Sequence, residues 1–223
     1  MNHGRFITAL ILLLLAAAPG GCNILGPVAY FVEGPPTVDA EYVLTDRPTV
    51  VFVDDRANVI GSNAPALRRA IADKVSEELM VKKLVTVTFS PRDAMGAAAS
   101  TDRHEELMPI DAIGRAVGAE QVIYVEMLAF TGSPDGVTPR PTAVCRVRVI
   151  DVTERTRLYP PEDSQEASRL LEVGTRPVDP AILQSPASRL KAYQALAEET
   201  GDQIAKLFYK HERKELGGSL QPR

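Results

Sequence analysis

The stretch Gln-Val-Ile-Tyr-Val-Glu-Met-Leu-Ala-Phe, residues 121–130, is the strongest candidate for a central β-strand in the chain. A second apolar strand pattern covers residues 143–152. The connection between the two, residues 131–141, holds an Asp-Gly pair and three prolines. Turn residues of this kind indicate a short loop rather than a crossover helix. We therefore predict that the two strands pair as an antiparallel hairpin.

The sequence before the hairpin alternates between strand and helix patterns. Residues 49–53, Thr-Val-Val-Phe-Val, form a continuous β-branched and aromatic run that suits a strand buried on both faces. Residues 64–84 carry apolar side chains at four-residue steps, which predicts an amphipathic helix. The remaining predicted elements are a strand over residues 85–89, helices over 94–99 and 109–117, a strand over 168–173 and a long helix over 188–216.

This order of elements predicts the fold class. Crossover helices allow parallel pairing among the first strands, and the hairpin forces antiparallel pairing later in the chain. We expect an α/β domain with a mixed, mostly five-stranded sheet packed by amphipathic helices.

The N-terminus carries a different signal. Residues 6–18 are apolar apart from Thr8, follow Arg5 and precede small residues. A membrane-spanning helix needs about 20 apolar residues, whereas this pattern is typical of a secretory signal peptide. Gly20-Gly21-Cys22 resembles a lipobox, which implies cleavage before Cys22, acyl chains on its thiol and attachment to a membrane. Pro19 departs from the lipobox pattern, in which leucine is usual three positions before the cysteine.

The residue after the lipobox cysteine bears on which membrane the protein is attached to. Asn23, directly after the cysteine, favours the outer membrane over the inner membrane, with the domain facing the periplasm. The alternative is a soluble secreted protein that is cut elsewhere and has Cys22 as an ordinary thiol. Cys145, the other cysteine, lies on an alternating strand, and we expect it to be a buried, inert thiol.

The predicted organisation has four parts. Residues 1–21 form the lipoprotein signal peptide, and residues 22–48 form a Pro-rich membrane tether. Residues 49–216 form the globular domain, and residues 217–223 form a C-terminal tail. The tether contains an apolar patch, residues 28–32, which docks on the domain or lies at the lipid surface.

Composition excludes several classes of protein. Of the 223 residues, 45% are apolar and 24% are charged, too balanced for a disordered chain. Two cysteines are too few for a disulfide scaffold. A formal net charge of −4 does not indicate a nucleic-acid binder.

The layout resembles the CsgG/LpoB-type domain, a group of bacterial envelope lipoproteins that is related to the N-terminal domain of TolB. The resemblance rests on the lipoprotein signal, the Pro-rich tether, and three motifs: Val50-Val51-Phe52-Val53-Asp54, Gly118-Ala119-Glu120-Gln121-Val122-Ile123 and Val147-Arg148-Val149-Ile150-Asp151-Val152-Thr153. It covers residues 48–212. It implies a mixed α/β sheet and non-enzymatic work, either protein–protein contact or envelope assembly.

Asp54 and Asp55 are the candidates for catalysis. They follow a buried strand, where open α/β sheets often place functional groups, and a carboxylate pair can divide acid–base work. However, adjacent residues at a strand end point in opposite directions, and one of them is expected to cap the next turn.

Three further groups are candidate binding sites. His104-Glu105-Glu106 lacks the spacing of a metal site, and His211 lies in a charged stretch, so both are expected to be solvated. Arg146 and Arg148 share one strand face and either contact an anionic polymer or headgroup or form a solvated surface.

Taken together, the sequence predicts a lipid-anchored envelope protein that is not an enzyme and that binds another envelope component in an assembly or regulatory role. No cofactor, metal or nucleic acid is expected, and self-association is left open. The alternatives are a secreted hydrolase that uses Asp54 or Asp55, and a subunit of an oligomeric export complex.

Overall fold

The computed structural model describes residues 36–101 and 107–213. The strands are β1 (Thr37–Val38), β2 (Thr49–Asp54), β3 (Thr88–Phe89), β4 (Gln121–Thr131), β5 (Thr142–Asp151), β6 (Arg157–Tyr159), β7 (Arg169–Gly174) and β8 (His211–Glu212). The helices are α1 (Ala64–Val81), α2 (Pro91–Thr101), α3 (Ile110–Val117), α4 (Pro180–Gln184) and α5 (Pro186–Ala205). Short 3-10 turns cover Gly61–Asn63 and Lys206–Phe208.

The described residues belong to two units. In the smaller one, β1 pairs with β8 in antiparallel register, with Val38 opposite His211. The larger unit runs from Asp39 to Lys210 and contains all the other elements.

The larger unit is built on a six-stranded mixed sheet. Its strands follow the order β3-β2-β4-β5, and the far edge of β5 pairs with both β6 and β7. β2 is parallel to β3 and β4, whereas β4-β5, β5-β6 and β5-β7 are antiparallel. The predicted mixed α/β fold and the predicted hairpin are therefore confirmed. β6 is a sixth strand that the sequence pattern did not indicate.

One face of the sheet carries the main core. Alternate residues of β2, β4 and β5 point to this face and pack with apolar side chains of α1 and α5. The most deeply buried side chains of this core include Leu67, Ile71, Ile123, Met127, Leu196 and Phe208. Burial of this area is the principal source of the unit's stability.

Two short helices, α2 and α3, pack on the opposite face. Their contacts form a second core with Val50, Phe52, Val122 and Tyr124. α3 ends at the predicted glycine, Gly118, which has a φ of +82° that other residues rarely adopt.

The predicted helix over residues 188–216 is wrong at its C-terminal end. α5 stops at Ala205, and Tyr209 is already extended. The carbonyl oxygen of Leu207 accepts hydrogen bonds from the backbone N–H groups of Glu41 (2.8 Å) and Tyr42 (3.1 Å). The Leu207 carbonyl is therefore hydrogen-bonded to the segment of residues 41–42 and not to a further turn of helix. The apolar periodicity of the helix does not predict this contact.

The predicted strand over residues 85–89 is also shorter in the structure, because only Thr88 and Phe89 pair with β2. The backbone N–H of Thr86 donates to the Asp46 carboxylate at 2.7 Å, and its hydroxyl donates to the other oxygen. The Asp46 side chain thus accepts the hydrogen bond of the Thr86 backbone N–H, which a longer strand would have paired with a neighbouring strand.

Residues 39–48, predicted as the end of the tether, belong to the larger unit. Leu44 is buried, and the Tyr42 ring lies 5.4 Å from that of Tyr159. The Glu41 carboxylate accepts hydrogen bonds from the Tyr159 hydroxyl at 2.6 Å and from the Arg169 guanidinium at 2.7 and 2.8 Å. These contacts fix the segment to β6 and β7.

Glu41→Gln should make the stability of the unit less dependent on pH. The hydrogen bonds from Arg169 lower the pKa of Glu41 below its ordinary value, against the opposing effect of burial. Because the pKa of Glu41 is lower in the folded chain, its contribution to the free energy of unfolding is complete at pH values above its pKa in the unfolded chain. The contribution is lost as the pH falls through the pKa of Glu41 in the folded chain. Because the side chain is 37% exposed, we expect the variant to lose only about 1–2 kcal/mol at pH 7.

Urea unfolding at pH 7 and at pH 3 measures this effect. The difference between wild type and Glu41→Gln should shrink at the lower pH. An equal difference in the free energy of unfolding between wild type and Glu41→Gln at both pH values would show that the charge of the Glu41 carboxylate does not hold residues 39–48 in place.

Candidate functional site

Asp54 and Asp55 lie at the carboxyl end of β2, line the same cleft and have different hydrogen-bond partners. Asp54 is buried, and its Oδ2 accepts the Tyr124 hydroxyl at 2.7 Å and pairs with Nε of Arg56 at 2.7 Å. The carboxylate of Asp55 accepts the backbone N–H groups of Val59 (2.8 Å) and Ile60 (3.2 Å). Asp55 therefore caps the loop, and Asp54 is the acceptor for two neighbouring side chains.

Tyr124 remains a hydrogen-bond donor in this arrangement. Burial raises the pKa of its hydroxyl, and the hydrogen bond to Asp54 raises it further. At neutral pH the Tyr124 hydroxyl therefore stays protonated and donates its hydrogen bond to the Asp54 carboxylate.

A cleft of about 200 Å³ adjoins these carboxylates. It is lined by Phe52, Asp54, Asp55, Arg56, Arg68, Met95, Ala98 and Ala99. Nε of Arg68 donates to the Val53 carbonyl at 2.7 Å, and its guanidinium lies 5.8 Å from the centre of the Phe52 ring. The described lining residues include no histidine, cysteine, serine or lysine that would act as a nucleophile or base with Asp54.

Beyond this point on the same face of the sheet, Glu126 is partly exposed and Arg146 and Leu170 are exposed in the described part of the chain. β4 has 11 residues and spans about 36 Å, whereas α3 has eight residues and spans about 12 Å. The cross-strand pairs Glu126–Arg146 and Arg146–Leu170 lie on this part of the sheet. We call Glu126, Arg146, Arg148 and Leu170 the open sheet half.

These side chains are substantially exposed to solvent. The exposed fractions are 36% for the side chain of Glu126, 48% for Arg146 and 29% for Arg148, and 53% for residue Leu170. Leu170 is one of seven large apolar residues that are exposed in the described part of the chain.

Arg148 is held in a fixed position over an aromatic ring. Its guanidinium lies 4.8 Å from the centre of the Tyr124 ring, a cation–π arrangement. Nε of Arg148 is buried and meets no acceptor in the described part of the chain. Its Nη2 and Nη1 of Arg146 each lie 3.8 Å from Oε2 of Glu126, beyond the range of a direct hydrogen bond. Two guanidinium groups thus share one carboxylate, and Nε of Arg148 has no acceptor among the described residues.

The other candidate residues of the sequence lie apart from the cleft and the open sheet half. Cys145 is fully buried in the main core, and burial raises the pKa of its thiol to about 12, as expected of an inert cysteine. His211 lies in β8 of the smaller unit instead of in a helix. Cys22 and the His104-Glu105-Glu106 cluster fall outside the described residues.

Residues 36–101 and 107–213 hold no group of three or more His, Cys, Asp or Glu side chains arranged to bind a metal ion. Within the same ranges, none of the helices has the length and hydropathy to cross a bilayer.

Sequence reasoning missed the roles of Arg56, Tyr124 and Leu170. In the sequence, Tyr124 is one more apolar residue of the predicted central strand, and Leu170 is one residue of the strand predicted over residues 168–173. Their position beside Arg146 and Arg148 depends on the registers of β4-β5 and β5-β7. Only the alternation of β5, which places both arginines on one face, was visible in the sequence.

No protein-family model and no curated protein matches the sequence. Similar solved structures include a hypothetical protein from Chlamydia trachomatis, with 17% identity, coverage of 71% of this chain and 96% of that chain, and a TM-score of 0.43. A Xanthomonas campestris protein of family model DUF330 shows 9% identity, coverage of 74% and 85%, and a TM-score of 0.46. A lipoprotein from Neisseria meningitidis shows 11% identity, coverage of 66% and 98%, and a TM-score of 0.34. At these identities and TM-scores the similarities carry no function over to this chain, and the narrower resemblance to the CsgG/LpoB-type domain stays a prediction.

Proposed function

We propose that this chain is a lipid-anchored protein of the bacterial cell envelope whose α/β domain binds another envelope component without catalysis. The open sheet half is the observation that carries the proposal. It combines the exposed Leu170 of β7, the Arg148 guanidinium over the Tyr124 ring, and a buried Nε of Arg148 that has no acceptor among the described residues. Arginine and aromatic side chains supply much of the binding energy in protein interfaces.

The anchor is the second part of the proposal. The apolar run of residues 6–18 and the Gly20-Gly21-Cys22 motif support export, lipidation of Cys22 and a periplasm-facing domain, with Asn23 favouring the outer membrane. Acyl chains would restrict the domain to the membrane surface and raise its effective concentration for a partner there. Self-association and a place in an oligomeric export complex stay predictions.

The contacts of Asp54 and Asp55 support a non-catalytic role over the hydrolase alternative. Asp55 is occupied by two backbone N–H groups, and Oδ2 of Asp54 by Arg56 and Tyr124. A carboxylate pair that divides acid–base work needs one member free to exchange a proton with a substrate. Both side chains here have structural partners that explain their presence.

Metabolic labelling with a palmitate analogue tests the anchor. The chain has two cysteines, so Cys22→Ser removes the proposed site and Cys145→Ser provides the matched control. We expect label on wild type and on Cys145→Ser, and none on Cys22→Ser. Label that survives Cys22→Ser, or that never appears, would contradict the proposal.

A further inference from the structure

One edge of the six-stranded sheet is formed by β7. This strand pairs with β5 along residues 169–174, and within residues 36–101 and 107–213 no second strand pairs with it. The strand at the opposite edge, β3, has two residues, whereas β7 has six. A strand edge of this length offers a row of backbone N–H and C=O groups with which another extended strand can pair.

The direction of these backbone groups follows from the pairing of β5 and β7. The backbone N–H of Thr175, directly after β7, donates to the Pro141 carbonyl oxygen at 2.9 Å, so residue 175 faces β5. Successive residues of an antiparallel strand face its two neighbours in turn. The residues of β7 that face the open edge are therefore Leu170, Glu172 and Gly174.

The groups on the open edge have unused hydrogen-bonding capacity. Among the described residues, the backbone N–H groups of Leu170 and Glu172 have no acceptor, and the Glu172 carbonyl has no donor. The Leu170 carbonyl oxygen accepts Nη1 of Arg169 at 2.9 Å and keeps a second lone pair. The edge of β7 can therefore take up a further strand without losing a bond that it already makes.

We infer that β7 pairs with the β7 strand of a second copy of this chain, in antiparallel register about a two-fold axis at Leu171. Residues that face the open edge must pair with one another, so the axis passes through a residue of β7. With the axis at Leu171, Leu170 of one copy exchanges backbone hydrogen bonds with Glu172 of the other, and symmetry repeats this pair. This inference goes beyond the proposed function and does not depend on the lipid anchor.

The side chains of β7 favour this axis over the neighbouring ones. Leu171 lies at the margin of the main core and would face Leu171 of the second copy directly across the axis. Leu170, which is exposed, would be the diagonal neighbour of Leu170 of the second copy at about 7–8 Å. An axis at Glu172 would instead place two glutamates opposite each other, and like charges destabilise a cross-strand pair. An axis at Leu170 would place Glu172 opposite Ser168, which lies outside β7.

The charges on the same sheet face favour a second copy of this chain over an unrelated strand. Arg146 pairs with Leu170 within the chain, so Glu172 of the second copy would lie on the far side of that leucine. The Cα atoms of Arg146 and this glutamate would be about 10 Å apart, a distance that two long side chains can span. The edge is thus complementary to itself in backbone groups, apolar side chains and charge, and the pairing closes at two copies.

Disulfide crosslinking at the axis tests the inference. Residue 171 of the two copies would form a non-hydrogen-bonded pair with Cα atoms about 4.5 Å apart, within the range of a disulfide. In purified full-length Cys22→Ser protein the buried Cys145 is the only remaining thiol. We expect Leu171→Cys in this background to form a crosslinked dimer on mild oxidation. The control is Val137→Cys, 84% exposed in the connection between β4 and β5, which should give at least about fivefold less dimer.

A proline substitution tests the role of the backbone. Glu172→Pro removes an N–H that faces the open edge and keeps the bonds to β5, because an edge strand tolerates proline at such a position. In the Cys22→Ser background, sedimentation velocity should show self-association weakened by about tenfold or more. The control Glu172→Ala keeps the backbone N–H and should associate like the parent protein.

A pair of charge variants tests the register and leaves the backbone unchanged. Leu170 is exposed, so substitutions there should not unfold the domain. In the inferred register, residue 170 lies opposite Glu172 of the second copy. Leu170→Glu should therefore weaken self-association, and Leu170→Lys should not.

Three results would overturn the inference. The first is a chain that sediments as a monomer at every concentration up to about 100 μM, which covers the affinity of a small interface. The second is equal crosslinking of Leu171→Cys and Val137→Cys. The third is equal self-association of Glu172→Pro and Glu172→Ala. None of these measurements uses an acylated cysteine, so a failure here is distinguishable from a failure of the proposed anchor.

Discussion

Asp54→Ala is expected to lower the free energy of unfolding by about 2–4 kcal/mol, among the largest effects of a single substitution in this domain. The variant leaves the buried Tyr124 hydroxyl without its acceptor and removes the counter-charge of Arg56. Arg56 is 43% exposed and regains water, so most of the cost falls on the tyrosine. Urea unfolding measures the change.

A double-mutant cycle shows whether this is the right cause. Tyr124→Phe removes the orphaned hydroxyl, so Asp54→Ala should cost less in that background, with a coupling energy of about 1 kcal/mol or more. Asp73→Ala, an exposed carboxylate on α1, should change stability by less than about 0.5 kcal/mol. Strict additivity of Asp54→Ala and Tyr124→Phe would contradict the structural role assigned to Asp54.

Gly201→Ala is expected to destabilise the domain by about 1–3 kcal/mol, although alanine is the better helix former. Gly201 lies where α5 crosses α1. A Cβ atom there would lie 2.7 Å from the carbonyl oxygen of Ile71 and 2.7 Å from Cβ of Lys74. Backbone and Cβ atoms cannot move aside as a side-chain end can, so the two helices must separate.

Gly96→Ala is the matched control for this substitution. Gly96 lies inside α2, is exposed, and has open space where a Cβ would stand. Its replacement should therefore stabilise the domain by about 0.5–1 kcal/mol. Opposite signs for the two variants are the expected result of thermal or urea unfolding, and a gain at both positions would show that the α1–α5 crossing is not as close as described.

Patterns within a single element predicted much of this fold. The β4-β5 hairpin, the helix predicted over residues 64–84, which ends at Val81 in the structure, and the end of α3 at Gly118 follow from local periodicity and turn chemistry. The end of α5 and the shortening of β3 do not, because each depends on a bond to the segment of residues 39–48. That segment was predicted to belong to the tether because it lies between the proline- and glycine-containing residues 26–36 and Pro48, while its anchoring residues, Glu41 and Leu44, carry no local signal.

The candidate site was predicted only in part for a related reason. Alternation along β5 placed Arg146 and Arg148 on one face, and the position after β2 drew attention to Asp54. The contact of Arg148 with Tyr124 and the pairing of Arg146 with Leu170 depend on strand register. The exposure of this surface also depends on α3 being shorter than β4. The lengths of the two elements predict that exposure only when it is known that they pack together.

Retention of the chain in the membrane fraction after a high-salt wash is the most direct test of the central claim, a domain held at the membrane by acyl chains on Cys22. Salt screens contacts made by surface charges such as those of the open sheet half, whereas it leaves buried acyl chains in place. Wild type and Cys145→Ser should remain in the membrane fraction, and Cys22→Ser should appear in the wash. Equal retention of Cys22→Ser and wild type would contradict the claim.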